Sequence, residues 1–396
     1  MDRGRLRIIL ALGTTQTIAW ASSYYLPAIL AAPMSHDLGL SPTFVFGALS
    51  AALVIGGLLG PRVGHVIDRL GGRGMLCISN LVLASGLICL AAANGPISLI
   101  ASWVVLGVGM GMGLYEAAFA TLTRIYGSDA RRPITGITLI AGFASTVGWP
   151  LSAFLEAHYG WRVACLAWAA ALVVIALPLN LTLPRGVAAI GPAVAETATP
   201  ADARRETWAM IAVAYVFAAT GFVSSGLSAL LPTILVQFGS TPAAAVFAAA
   251  LVGPAQVAAR IVEAGWLSKY HPLASAQLAT VMNPLAVAAL IFGGPVFAPV
   301  FALAYGAGNG ILTIARGTLP LALFGPVGFG RRVGFLAMPA RFAGAAAPLA
   351  IGVLVERFGP GALWFCAAAS LSALIALVAL GSVRSASSAR PPQTGA

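Results

Sequence analysis

Five charged side chains sit where charge is expensive. Glu116, Arg260, Glu263, Arg316 and Arg341 all fall inside long apolar runs of this 396-residue sequence, and an ionisable group at the centre of a bilayer costs about 2.5–3.5 kcal/mol even on the milder scales. Groups kept at that cost bind a solute, carry a proton or pair with one another. Gln256, Arg260 and Glu263 share one helical face, which predicts an Arg260–Glu263 pair. Glu116 is the candidate proton carrier. Three arginines against two glutamates favour an anionic solute, because a guanidinium fork matches a carboxylate or oxyanion. For Arg316 and Arg341, solute contact and gating are both open.

Neutral polar groups accompany these charges. In QTIAWASSYYLPAIL (16–30), Gln16, Trp20, Ser23, Tyr24 and Pro27 fall on one face at about 100° per residue. Tyr115 adjoins Glu116, Thr220, Ser224 and Ser228 recur every fourth residue, Asn309, Thr313 and Arg316 share a face at i, i+4 and i+7, and Trp149 sits beside a proline. Such stripes are tolerated where they line a water-filled space between helices. Serine and threonine also bond back to their own helix, and the aromatics also pack, so each of these residues has a structural alternative.

The elements that must position these groups are membrane-spanning helices. The chain is 59% hydrophobic and 8% charged, far too apolar for one globular core. A crossing takes about 20 residues. Twelve runs qualify, near 8–32, 43–62, 75–94, 97–121, 134–156, 162–183, 208–236, 243–267, 273–293, 296–320, 334–355 and 361–381. With both termini on the cytoplasmic side, all but Arg162 and Arg357 of the 22 basic residues lie on that side or in the helix halves leading to it. The net charge of +11 therefore reads as a topology signal, with the anionic inner leaflet as partner and no role for nucleic acid.

Several segments occur twice. LPAIL (26–30) returns as LPTIL (231–235), SP (41–42) as TP (241–242), and RRP (131–133) as RRV (331–333). All are about 200 residues apart, the spacing of two homologous six-span halves. The expected organisation is a bundle over 1–183, a Pro-rich cytoplasmic linker over 184–207, a second bundle over 208–383 and a disordered tail over 384–396. SP and TP should each cap and open the second span of a half.

GHVIDRLGGRG (64–74) follows the second span. Its Gly64, Asp68, Arg69, Gly71 and Arg73 resemble the G-x-x-x-D-R-x-G-x-R signature of the major facilitator superfamily, and the twelve spans in two halves agree with that family along essentially the whole chain. The resemblance implies an all-α fold of two pseudo-symmetric six-helix bundles, alternating access, and a 64–74 turn that helps hold the halves together on the cytoplasmic side. It also implies that spans one, four, seven and ten line a central cavity. The second half departs from the signature, with Lys269 where the first has Asp68. The glycine-ribbed fourth and fifth spans, GVGMGMGLYEAAFATLTRIY (107–126) and the stretch ending YGWR (159–162), are similar to the monocarboxylate-porter-like branch.

The expected function is a secondary transporter in the inner membrane, acting as a monomer on a small organic anion, with protons as candidate coupling ion. Efflux of an arsenite-type or drug-like neutral solute is the alternative. A membrane-embedded enzyme or receptor is more distant: no H-E-x-x-H or G-x-S-x-G occurs, and the single lysine, Lys269, lies outside any phosphate loop. Cys77, Cys89, Cys165 and Cys366 form no close pair, so neither a metal nor a cofactor is expected.

Overall fold

The computed structural model describes residues 3–184 and 200–388. The expected linker lies largely outside the described residues, as do positions 389–396 of the expected tail. Among the described residues the chain is helical and carries no strand. Its six opening crossings are built from nine helices. They are α1 (Arg3–Ser22) with α2 (Pro27–Leu38), α3 (Pro42–Leu70), α4 (Gly72–Ala91), α5 (Pro96–Gly113) with α6 (Tyr115–Tyr126), and α7 (Arg131–Ala141) with α8 (Ala144–Ala171) and α9 (Leu177–Leu181). The remainder are α10 (Pro200–Gln237), α11 (Pro242–Ala250) with α12 (Val252–Gly265), α13 (Pro272–Gly293), α14 (Ala298–Phe324), α15 (Phe329–Phe358) and α16 (Ala362–Ser388).

Among the described residues, eight helical stretches are long and apolar enough to cross a bilayer. Two of these hold more than one crossing, because Pro96–Leu181 runs 86 residues and Phe329–Ser382 runs 54, against about 20 per crossing. Inside the first, α8 turns at Gly160, whose φ of 82° is left-handed and ends one span and starts the next. The first span escapes that count because α1 gives way to α2 through a wide turn, in which the Tyr25 N–H reaches back five residues to the Trp20 carbonyl at 3.1 Å. Together these make twelve crossings in two six-helix bundles.

The doubled SP and TP pairs act as expected. Ser41 Oγ accepts from the Phe44 N–H, and Thr241 Oγ1 from the Ala244 N–H, each at 3.2 Å. The hydroxyl fills an orphan donor and the following proline has none to lose.

Each bundle has its own apolar core, one around Leu30, Met34 and Trp103, the other around Leu231, Leu290 and Phe301. Large apolar side chains such as Leu58, Ile88, Val174 and Phe292 cover the exterior, where only lipid satisfies them. A third cluster belongs to both halves: Ile67, Phe119, Ile134 and Ile137 pack with Leu321, Phe329 and Val333. It sits at the end rich in arginine, here called the basic end. There α3 and α6 pack on α15, and α7 packs on α12 and α14, whereas α2, α8 and α11 pack chiefly within their own halves. The halves are thus joined at the basic end.

Candidate functional site

Asp68 ends α3 at the basic end and reaches across to the second half. Its Oδ1 accepts from the Gly330 N–H and its Oδ2 from the Arg331 N–H, both at 2.9 Å. Those amides open α15 and have no partner inside their helix. A carboxylate there satisfies two orphan donors and meets the positive end of the helix dipole. Arg124 of α6 and the remaining signature residues fix the backbone around Asp68. Arg124 donates to the Asp68 carbonyl and, at 3.2 Å, to that of Arg69, while Arg73 reaches the Leu183 carbonyl at 3.2 Å. Gly71 turns the chain with a φ of 84°. Gly64 lies so close to α15 that a Cβ would come within 2.0 Å of the Gly330 carbonyl oxygen.

The second half closes differently. The expected Arg260–Glu263 pair does not form. Glu263 instead faces Arg131 of the other half at 3.6 Å, and Arg131 also donates to the Tyr270 carbonyl at 2.7 Å. Arg260 turns to the break between α7 and α8, where its guanidinium meets the Thr138 carbonyl and Thr313 Oγ1, each at 3.4 Å. Carbonyls at a helix C-terminus attract a cation, and Gly142 leaves room for this one. Glu263 is 2% exposed and Arg131 25%. Arg131→Leu, which strands the buried carboxylate, is therefore expected to cost about 3 kcal/mol and more than Glu263→Leu. Thermal unfolding of the detergent-solubilised variants checks the order, and equal losses would overturn it.

Between the halves the polar stripes separate into two groups. Gln16 is buried and donates through Nε2 to the Gly113 carbonyl at 2.6 Å, sealing the gap where the extended Leu114 parts α5 from α6. Ser23 is also buried and bonds back to the Ala19 carbonyl at 2.5 Å. Thr220 bonds to the Val216 carbonyl at 2.7 Å and, with Asn283 and Asn309, lines a small cavity inside the second bundle. Tyr305 ties span ten to span seven through the Ser224 carbonyl at 2.9 Å and Ser228 Oγ at 3.2 Å. Backbone groups at helix gaps and buried carbonyls take these side chains up, which removes Gln16 and Ser23 from the cavity wall.

Trp20, Tyr24, Tyr115, Glu116, Arg316 and Arg341 do come together. Glu116 opens α6 and accepts from Arg341 Nη2 at 2.7 Å, joining the fourth span to the eleventh. Tyr24 faces Ser225, with the charges of Arg316 and Arg341 in range. Arg316 lies against the bare backbone of α10 at Gly221 and forms no ion pair among the described residues. Thr313 bonds to the Asn309 carbonyl at 2.8 Å and holds Arg260 from the other side. Trp149 is 43% exposed and meets Tyr25 edge-on, with ring centroids 5.9 Å apart.

The buried polar atoms around this space that lack a partner are donors. Among the described residues these are Trp20 Nε1, Arg260 Nε and Arg316 Nε; Asn309 Nδ2 and the acceptor Asn283 Oδ1 lie instead at the small cavity inside the second bundle, and Gln16 Oε1 at the gap between α5 and α6. Three arginines and one glutamate leave two guanidinium charges unbalanced. Sequence reading missed Tyr25, Phe119, Ser225 and Arg131. For Phe119 the i, i+4 spacing from Tyr115 was the available signal.

At the far end of the first half, Arg162 and Trp161 hold Asp37, with Arg162 also donating to the Ala93 carbonyl at 2.9 Å. The bond from Arg162 holds the Asp37 carboxyl below the usual range.

Two six-helix bundles closed at one end around a charged internal site define a membrane carrier. The chain belongs to the Major Facilitator Superfamily, whose profile matches residues 12–315. It is 28% identical over 355 residues, 89% of each chain, to a Thermoproteus tenax protein named "Uncharacterized 38 kDa protein in 23S RNA operon". A stretch of 161 residues is 32% identical to an MFS-type efflux pump of Mycolicibacterium smegmatis, covering 40% of this chain and 37% of that one. The crystal structure of the human organic anion transporter MFSD10 (TETRAN) superposes with a TM-score of 0.74 at 15% identity, covering 95% of this chain and 100% of that chain. Members of the family are transporters that bind small solutes, so this is a multi-pass transporter and not an enzyme.

Proposed function

We propose that this transporter carries a small organic anion of the monocarboxylate kind across the inner membrane by alternating access. The observation that supports this reading is the charge balance between the halves. Glu116 is committed to Arg341, which leaves Arg316 in the cavity with an unpartnered Nε and a surplus of free donors around it. An acceptor-rich, negatively charged solute satisfies both. The basic end faces the cytoplasm with both termini, in keeping with the arginine asymmetry, and the state described is then closed on the inside. Residues 184–207 link bundles over 1–183 and 208–383. The similarity to the monocarboxylate-porter-like branch rests on the glycine-ribbed fourth and fifth spans.

Glu116 is the route for proton coupling only if its proton and Arg341 exchange, since the carboxylate cannot hold both. Flux in proteoliposomes, with and without a proton gradient, tests these points for lactate, pyruvate and arsenite. Arg316→Gln is expected to lower carboxylate flux by about tenfold to a hundredfold, the loss of one charge-assisted bond of roughly 1.5–3 kcal/mol. Glu116→Gln is expected to lose the response to the gradient. Arsenite flux that survives Arg316→Gln, with no carboxylate flux in the wild type, would overturn the reading in favour of a neutral-solute exporter, as the likeness to the efflux pump suggests.

A further inference from the structure

Six aromatic rings run without interruption along one wall of the site. Phe119 stacks on Tyr115 with centroids 5.3 Å apart and planes 10° from parallel, and Tyr115 meets Trp20 at 4.9 Å. Trp20 meets Tyr24 at 5.3 Å, Tyr24 meets Tyr25 at 5.3 Å, and Tyr25 meets Trp149 at 5.9 Å. All six belong to the first half, and the run grades from buried Phe119 near the basic end to half-exposed Trp149.

The facing wall is different in kind. It comes from α10, α12 and α14 and presents Ser225, Arg260, Thr313 and Arg316. Tyr24 lies in range of the Arg316 charge, and Tyr25 and Tyr115 lie in range of Arg260.

These rings are not simply core. Trp103 and Phe301, which are core, are fully covered, whereas Trp20, Tyr24, Tyr25 and Tyr115 all keep part of their surface uncovered. Trp20 also has an indole N–H without a partner. A string of π faces would suit a cation, but the opposite wall is itself cationic and repels one. An aliphatic acid would engage the arginine and leave the rings unused. A flat ring bearing a carboxylate uses both walls: its face stacks on the rings and its oxygens reach the guanidinium.

We propose that the site selects aromatic carboxylates, with the ring held on Trp20 and Tyr115 and the carboxylate on Arg316. This rests on the anion reading above and narrows it.

Binding to the full chain in nanodiscs, followed by isothermal titration at pH 7.5, tests it with benzoate, cyclohexanecarboxylate and benzyl alcohol. The two acids share a six-membered ring and a charge and differ in aromaticity. Benzoate is expected to bind roughly tenfold tighter than cyclohexanecarboxylate, because only the aromatic ring gains from stacking on the π faces of the wall. Trp20→Leu is expected to bring that ratio below about threefold by removing one of those faces, and Trp20→Phe to preserve most of it. If Trp20→Leu binds neither acid, Tyr115→Leu supplies the same comparison. A wild-type ratio near one, with both acids bound, would overturn aromatic selection and leave the anion reading intact. Benzyl alcohol bound as tightly as benzoate would overturn the anion reading itself, and this inference with it.

Discussion

Gly64→Ala is expected to reduce transport by at least about tenfold, through overpacking at a contact that cannot relax. The added Cβ would lie 2.0 Å from the carbonyl oxygen and 2.2 Å from the carbonyl carbon of Gly330. Both atoms are backbone, so α3 and α15 must separate by an ångström or so. A neighbouring glycine calibrates the effect. At Gly60 the nearest atom is the Gly334 carbonyl oxygen at 3.3 Å, a distance that a small shift relieves. The order of severity should be Gly64→Ala well above Gly60→Ala. Only the state closed at the basic end contains the clash, so the variant should populate the other state. A cysteine at position 67, buried between the halves in a cysteine-free background, should then become open to a thiol reagent. If it stays protected while transport falls, the loss has another cause.

Asp68→Ala is expected to weaken the closed state by about 1.5–3 kcal/mol, the worth of a charged hydrogen-bond partner, and so to shift the balance of states by roughly tenfold to a hundredfold. Two amides at the start of α15 lose their acceptor, and the dipole loses its counter-charge. Asp68→Asn should fall between, because an amide oxygen accepts from one of the two N–H groups without carrying charge. The same position-67 labelling reads the shift. Equal labelling in wild type, Asp68→Asn and Asp68→Ala would show that the carboxylate adds nothing to closure. Combining Asp68→Ala with Arg131→Leu removes contacts made by different helices, α3 with α15 and α7 with α12, so their effects on closure should add.

Much of this was legible in the sequence because the bilayer imposes a single length scale. Apolar runs located the spans, and the doubled SP and TP pairs located two helix starts, because a cap and a proline act through local geometry. The Asp68 motif was legible through its resemblance to the family signature, although its partners, the Gly330 and Arg331 amides, lie in the other half. What stayed hidden depends on where helices bend. Leu114 breaks the fourth span without a proline, and that gap claims Gln16, which an unbroken helix would have left facing the cavity. The wide turn after Trp20 swings Tyr25 into the aromatic run, off the face that 100° per residue assigns to it. Partner choice was equally out of reach: Glu263 lies one turn from Arg260 along α12, yet α7 brings Arg131 to it from the other half and draws Arg260 to its own carbonyl end.

The crossing of α3 and α15 is made from bare backbone at Gly60 with Gly334 and Gly64 with Gly330. Interdigitated side chains give up rotamer freedom when they close and must find their rotamers again each time, at a cost of about 0.5–1 kcal/mol for each leucine or isoleucine. Glycines have no rotamers to lose or search. Parting and re-forming this seam leaves side-chain entropy there unchanged, so its contribution to the barrier lies in solvation and backbone contact. The rate of opening at this end is then set by the polar bonds of Asp68 and Arg131 and by the small apolar cluster beside them, which makes it adjustable by single substitutions at those positions without disturbing the seam.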